Sequence, residues 1–215
     1  MAIDKKNAVR KPQQQRSQDR IDRILEASKK IIAEKGSAGL TISGIADEAG
    51  ITAGSMYQYF PNKQAIVFRL GELYLQAVKD QIAQKLEVEM TCREDLYGVL
   101  FDILDDYTFM HESDPVVRDI WLGFIVNKEM RDIDWENTVE NAAAIAHIAT
   151  PLFPEAMHPE LEAAFLLIVQ YADATTLTAV ASDPAVKDSV VSEGRKMLGV
   201  LLDNLETRAL DHEKS

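Results

Sequence analysis

Between Leu40 and Lys63 the chain reads LTISGIADEAGITAGSMYQYFPNK, and this stretch leaves little freedom in local structure. Thr41 is placed to cap a helix, because its hydroxyl can take a free backbone N–H. Ile42, Ile45, Ala46 and Ala49 recur at three- and four-residue steps, the period of one helix face. Gly50 suits the left-handed residue that closes a helix. Thr52 is a second cap, and Ala53, Met56, Tyr57 and Phe60 give a second short helix its spacing. Pro61 stops it, since the residue before a proline is pushed out of the helical region. Two short helices about a tight glycine turn form a helix-turn-helix, whose second helix can enter a major groove. A plain helical hairpin with its aromatics turned inward has the same spacing.

The composition of the second helix separates these readings in part. Thr52–Tyr59 carries no charge, one Gly, two Tyr and two hydroxyl residues. Gly54 lacks a side chain, so a partner's backbone could come close. Thr and Ser can bond phosphates or base edges, and the hydroxyls of Tyr57 and Tyr59 can bond phosphates. Lys63, at the start of the next helix, adds an ammonium to a helix N-terminus. Net charge over all 215 residues is −12, which by itself argues against a nucleic-acid partner. Its distribution reverses that. Residues 1–70 hold 12 Lys/Arg against 7 Asp/Glu, a net +5, whereas residues 71–215 hold 11 against 28, a net −17. A polyanion partner belongs at the basic end.

These residues resemble the DNA-binding domain of the tetracycline-repressor (TetR) family. The resemblance is carried by IleAlaAspGluAlaGly at 45–50, ThrAlaGlySerMetTyrGlnTyrPhe at 52–60 and ProAsnLysGlnAla at 61–65, with Lys35-Gly36 and the preceding amphipathic helix. It covers roughly residues 16–70. One departure is Gly44, mid-helix, where the family more often has a polar or charged residue. The resemblance implies a helical body that binds an effector, dimerises, and shifts the spacing of two DNA heads. The candidate DNA-facing set is Thr41, Thr52, Ala53, Gly54, Ser55, Tyr57, Tyr59 and Lys63.

Outside this motif the chain reads as helices, with no alternating strand pattern or internal repeat. Residues 1–17 are polar, Gln-rich and basic, and are expected to form a flexible arm able to touch DNA. From about Gln18 to Glu34, Ile21, Ile24, Leu25, Ser28, Ile31 and Ile32 line one helix face, and Gly36 ends it. Asn62 can cap a long helix to about Leu86. Helices follow over about 93–111, 115–130, 134–150, 161–181 and 184–205, punctuated by Asp114-Pro115, the prolines 151, 154 and 159, and Asp183-Pro184. The segment Leu161–Ala181 has no charge between Glu162 and Asp173, so it is expected to be covered on more than one side. A subunit interface would do this, formed by Phe165, Ile168, Leu198, Leu201, Leu202 and Leu205; a deep core within one chain is the alternative.

Nothing matches a nucleophile elbow, a P-loop or a dinucleotide fingerprint. The single Cys92 excludes an internal disulfide and a Cys-rich zinc site. Glu155-Ala-Met-His158 has the spacing of carboxylate-bridged metal sites, but it lies in a Pro-rich loop and has no second copy. Asp102, Asp105 and Asp106 could pair as acid and base, although a solvated helix face explains them. No metal or cofactor is expected. Helix bundles place small-molecule sites between facing helices, lined by aromatics and a few polar groups. The candidate effector-lining set is therefore Phe101, Leu104, Tyr107, Trp121, Phe124, His147 and Tyr171. No apolar run reaches membrane-span length, and no apolar signal core follows Asp4, Lys5 and Lys6, so a cytoplasmic protein without a membrane partner is expected.

The expected protein is all-α, with an arm at 1–17, a helix-turn-helix domain at 18–64, and a helical effector-binding and dimerisation domain at 65–215. Its expected function is that of a homodimeric repressor on palindromic double-stranded DNA, released by a small, largely apolar effector. Two alternatives remain at this point: a helical enzyme working in the body cavity, and a helical adaptor that binds only protein.

Overall fold

The computed structural model describes residues 5–214, with side chains described from Gln15 onward. Among the described residues there are no strands, and the chain forms nine α-helices. The first is α1 (Lys5–Lys35), which begins well before the expected Gln18. From Lys5 on, the arm expected at 1–17 is helical backbone, and residues 1–4 lie outside the described ones. Gln, Lys and Arg are good helix formers. Gln15 donates to Asp19 at 3.0 Å and Gln18 to Asp22 at 2.9 Å, one helical turn apart, so the polar stretch is helical without an apolar stripe.

The head consists of α1, a 3₁₀ turn at Ser37–Gly39, α2 (Ile42–Ala49) and α3 (Ala53–Met56). Its local signals act as the sequence indicates. Thr41 accepts from the Gly44 amide at 3.1 Å, and Gly50 takes φ 65° and ψ 40°. The Ile51 amide then bonds Ala46 O at 3.0 Å and the Gly50 amide bonds Asp47 O at 3.2 Å, the two bonds of a Schellman close. Ile24, Leu40, Ile45, Met56 and Ile66 are fully or nearly fully buried together. The second short helix is shorter than expected: α3 ends at Met56, and Tyr57 to Tyr59 form a turn closed by Tyr59 N and Phe60 N on Met56 O, both at 2.9 Å.

Asn62 caps α4 (Lys63–Leu86), which runs from head to body. The body adds α5 (Arg93–Ser113), α6 (Pro115–Val126), α7 (Lys128–Ala149), α8 (His158–Ala181) and α9 (Pro184–Glu213). Gly71 is the point where α4 meets α6 and α7. A Cβ there would lie 2.9 Å from the tip of Met130 and 3.2 Å from Phe124. At the far end, Arg93 holds Glu206 with two bonds of 2.7 and 3.0 Å and Glu213 with one of 2.8 Å, tying α5 to α9.

Two expectations about the last helices are corrected. Glu155–Ala181 is long and apolar enough, by length and composition, to cross a membrane, because Gln170, Asp173 and the threonines scarcely lower its apolar character. In the fold this segment packs against α5, α7 and α9. Phe165, Ile168, Leu198, Leu202 and Leu205 are buried within the single chain, and of the proposed interface residues only Leu201 is exposed. The period explains this. The stripe Leu161, Phe165, Ile168, Thr175 and Ala179 faces the core, which leaves Leu167, 70 % exposed, on the opposite side of α8.

Candidate functional site

The head presents a small surface built around the uncharged α3. Thr41, Thr52, Ala53, Gly54 and Tyr57 are exposed, and Ser55, Tyr59 and Lys63 are half-buried. Thr52 caps α3 by accepting from the Ser55 amide at 3.2 Å, and the two hydroxyls lie 2.9 Å apart. A Cβ added at Gly54 would meet nothing within 4 Å. Glycine is thus not demanded there by the fold, and its absent side chain leaves room outside the protein. Gly44 differs, because a Cβ there would lie 2.9 Å from Thr41 Oγ1 and crowd the cap. Lys63 Nζ donates to Ala38 O at 3.4 Å, which holds the ammonium beside the 3₁₀ turn.

Head and body also touch where α1 packs against α6, and one side chain bonds across that contact. The Ser37 amide donates to Asp119 Oδ2 at 3.0 Å, and Gly36, at φ 71°, faces Asp119 Oδ1, which a Cβ would approach to 3.2 Å. Asp119 lies on α6, two residues before Trp121, so the turn that opens the head is fastened to a body helix.

Within the body, α4, α5, α7, α8 and α9 enclose a cavity of about 50 Å³. Val78, Ile82, Leu100, Leu104, Ile145 and Leu198 supply much of its wall, with Tyr74, Tyr107, Asp134, Asn137, Thr138, Asn141 and Asp173 the polar lining. An outer cleft of about 350 Å³, lined by Trp121, Phe124, Ile125, Arg131, Gln170, Ala174 and Leu177, shares Asp134 and Asp173 with it. These two carboxyls therefore stand where cavity and cleft meet.

A buried polar chain leads from that point. Tyr107 donates to Asp173 Oδ1 at 2.6 Å, Tyr74 donates to Tyr107 Oη at 3.2 Å, and His111 Nε2 lies 2.8 Å from Tyr74 Oη. His111 Nδ1 lies 2.7 Å from Tyr107 O, a carbonyl that can only accept, so this nitrogen carries a proton. The proton inventory then matters. With His111 neutral and Asp173 ionised, the two hydroxyl hydrogens serve only two of the three links: Tyr107 donates to Asp173 and Tyr74 to Tyr107, so Nε2 and Tyr74 Oη face each other without a hydrogen. One additional proton satisfies every link, either on His111 or on Asp173. Burial pushes His111 down to about 4, and burial, opposed by the bond from Tyr107, pushes Asp173 up to about 6. As pH falls, the additional proton is therefore taken up first by Asp173, near pH 6, and at pH 7.5 this carboxyl is ionised. Burial alone raises Asp134 to about 6 as well. Both tyrosines are held well above their ordinary value, first by burial, and stay neutral.

Of the effector-lining residues expected from sequence, Leu104 and Tyr107 line the cavity, while Trp121 and Phe124 line the cleft. Three are placed elsewhere. His147 is exposed, because Asn141, Ala142, Ile145, Ala146 and Ala149 form the inward stripe of α7. Tyr171 reaches Gly194 O at 2.9 Å and lines a separate surface groove between α8 and α9. Phe101 lies under Arg195, whose guanidinium is 4.6 Å from its ring centre. Sequence reading passed over Tyr74, His111, Asp134 and Asp173. His111 had a signal: it falls four residues after Tyr107, on the buried stripe of Leu96, Leu100, Leu104 and Thr108. Among the described residues, no three His, Cys, Asp or Glu side chains are grouped to hold a metal ion.

A short helix-turn-helix whose second helix is exposed and uncharged, carried on a helical body with an internal cavity, defines a class of DNA-binding regulators. Residues 24–70 match the model of bacterial regulatory proteins of the tetR family, and residues 94–206, just over half of the chain, match the tetracyclin repressor-like C-terminal domain. The chain belongs to the TetR family of transcriptional regulators. It is 38% identical over 89 residues to the uncharacterized HTH-type transcriptional regulator YvdT of Bacillus subtilis, an alignment covering 41% of this chain and 43% of that one. The chain thus spans less than half the length of that relative. Among solved structures, a putative transcriptional regulator from Saccharomonospora viridis in complex with choline has a TM-score of 0.63 at 20% identity, covering 87% of this chain and 96% of that one. The regulator FadR of Bacillus subtilis in complex with stearoyl-CoA has a TM-score of 0.53 at 20% identity, covering 84% and 96%. At such identities the structures show the shared fold.

Proposed function

We propose that this chain is a homodimeric repressor that binds a palindromic operator through α3 and is released by a small, largely apolar molecule entering the body cavity. The observation that carries the DNA reading is Gly54, a glycine on an exposed short helix with open space where its side chain would be. Thr41, Thr52, Ala53, Ser55, Tyr57, Tyr59 and Lys63 surround it and form the contact set, with the basic α1 extending it. Dimerisation through the exposed faces of α8 and α9, which carry Leu167, Met197, Val200 and Leu201, would pair two such heads. The mostly aliphatic cavity wall supports an apolar effector, and the solved structures with choline and with stearoyl-CoA lend support to a small-molecule effector of some kind. The effector acts only by its different affinity for DNA-competent and DNA-incompetent states. A cytoplasmic location and a role without catalysis accompany this reading.

Selection of bound sequences from a random duplex pool tests it. A two-fold symmetric site should emerge, bound with a steep salt dependence. Gly54→Trp should then lower affinity by about a hundredfold or more, close to 3 kcal/mol, while leaving the melting temperature nearly unchanged. Lys63→Ala should lower affinity for every sequence alike and reduce the salt slope by about one. A pool that yields no enriched site, or a Gly54→Trp variant that binds normally, refutes the assignment.

A further inference from the structure

The chemistry at the junction of cavity and cleft is more specific than an apolar lining. Asp134 and Asp173 are the acidic residues of the enclosed cavity, and among its lining residues there is no Lys, Arg or His. The cleft outside has one cation, Arg131, which is exposed and donates to Ile125 O at 3.1 Å. Asp173 receives its hydrogen bonds from the neutral donors Tyr107 and Gln170. Asp173 is thus carried into an apolar interior without a matching positive charge, and Asp134 stands partly solvated at its mouth, an arrangement that costs stability and is kept where a site uses it. Around them stand four aromatic rings, those of Tyr74, Tyr107, Trp121 and Phe124.

We infer that the effector is an apolar amine bound as its ammonium ion, with the N–H groups directed to Asp134 and Asp173 and the hydrocarbon in the aliphatic cavity. The inference rests on the effector reading above and narrows it to one chemical class. An ammonium supplies the charge that the carboxylates lack, and the surrounding rings add attraction to a cation. Fatty acids and acyl thioesters bearing phosphates meet the opposite condition, since their negative end would lie against the two aspartates.

Three probes of equal chain length decide the matter: octylammonium, 1-octanol and octanoate, titrated by calorimetry at pH 7.5 into the full chain. The ammonium should bind at least tenfold more tightly than either of the others. In Asp134→Asn/Asp173→Asn this preference should fall to about threefold or less, while octanol binds as before. Affinity for octylammonium should also weaken about tenfold between pH 7.5 and 5, as the two carboxyls take up protons. Tyr107, which bonds Asp173, and Tyr74 and His111 behind it remain neutral across that range, and Arg131 is the guanidinium of the cleft. Equal or tighter binding of octanol or octanoate by the native protein overturns the inference, as does absence of octylammonium binding. The effector reading is separable. If octanol or octanoate releases DNA better than octylammonium, the sensor stands and the amine falls. If octylammonium binds with the stated preference and leaves DNA affinity unchanged, the amine site stands and the sensor reading falls.

Discussion

The head draws its working surface from one run of sequence, Thr41 to Lys63, whereas the body cavity takes its polar groups from α4, α5, α7 and α8. In the head, caps and turns are local: Thr41, Gly50, Thr52 and Asn62 each act on a backbone group no more than four residues away. In the body, Tyr74 meets His111 and Tyr107 meets Asp173 across separations that only tertiary packing closes. The difference is between a surface encoded by backbone chemistry and a site encoded by which face of each long helix turns inward. A one-residue error in the first shifts a cap, and in the second it replaces a buried residue with an exposed one.

The strongest way to break the comparison is to place a charge on each side of α8. Phe165 is 0 % exposed and Leu167 is 70 % exposed, although they are two residues apart. Phe165→Asp buries a carboxylate with no partner and should cost at least 4 kcal/mol, enough to unfold a chain of ordinary stability. Leu167→Asp should leave the thermal melt within about 1 kcal/mol of the native protein. By sedimentation equilibrium it should convert the proposed dimer into a folded monomer. A folded Phe165→Asp protein, or a Leu167→Asp protein that still dimerises, would show that the face of α8 has been assigned wrongly.

How much the sequence discloses follows from the same contrast. The head was legible because Thr, Gly, Asn and Pro have conformational preferences that act on their own neighbours. Its error, extending α3 to Phe60, lies where Tyr57 to Tyr59 satisfy their amides in a turn in place of a regular helix. The body helices were legible as helices, yet their apolar residues are too numerous for the period to select one face. Ala and Ile surround His147, but Asn141 and Thr138 are the polar residues turned inward on α7. Phe165 and Ile168 read as interface residues because one chain of this size offers little to cover both sides of α8, and α5, α7 and α9 do cover these two. Asp134 and Asp173 were passed over because an aspartate in a helix reads as solvated until the fold buries it.

A pH titration of stability sharpens the comparison, because both opposed groups belong to the body. Asp173 is raised to about 6, so its contribution is fully present below its ordinary value near 3.8 and is lost as pH rises through 6. His111 is lowered to about 4, so its contribution is fully present above 6.5 and is lost as pH falls toward 4. Each amounts to roughly 2–3 kcal/mol, and between pH 4 and 6.5 they act in opposite directions. Asp134, also raised to about 6, adds a smaller effect of the same sign as Asp173 because it is partly solvated. Urea unfolding of the native protein should therefore show a shallow profile across this window. Asp173→Asn should be more stable than native at pH 7.5, by about 2 kcal/mol, and should lose stability steadily as pH falls. His111→Asn should show the opposite slope. Parallel profiles for the three proteins would mean that the polar chain does not titrate as its burial requires.

The smallest expected effect tests the join between the two regions. Asp119 on α6 is the body's hold on the turn at Gly36 and Ser37, through a single bond of 3.0 Å from a half-buried position. Asp119→Ala removes a side-chain acceptor from one backbone amide and should cost about 1 kcal/mol, or about 2–4 °C in melting temperature. The position of the loss matters more than its size. Hydrogen exchange followed by mass spectrometry should show faster exchange in the peptide containing Ser37 and Leu40, by about fivefold, with peptides from α8 and α9 unchanged. The packing of Ile24, Ile45, Met56 and Ile66 does not depend on Asp119, so the head should remain folded and bind DNA within about threefold of native. What should fall is the ratio of DNA affinities with and without bound effector, because a body helix can bias the head only through contacts that differ between its states. If exchange at Ser37 is unaltered, the aspartate does not hold the turn. If exchange rises and the ratio stays the same, the coupling runs through α4, which crosses from head to body at Gly71, and through the packing of α1 on α6, and the Asp119 bond is not needed for it.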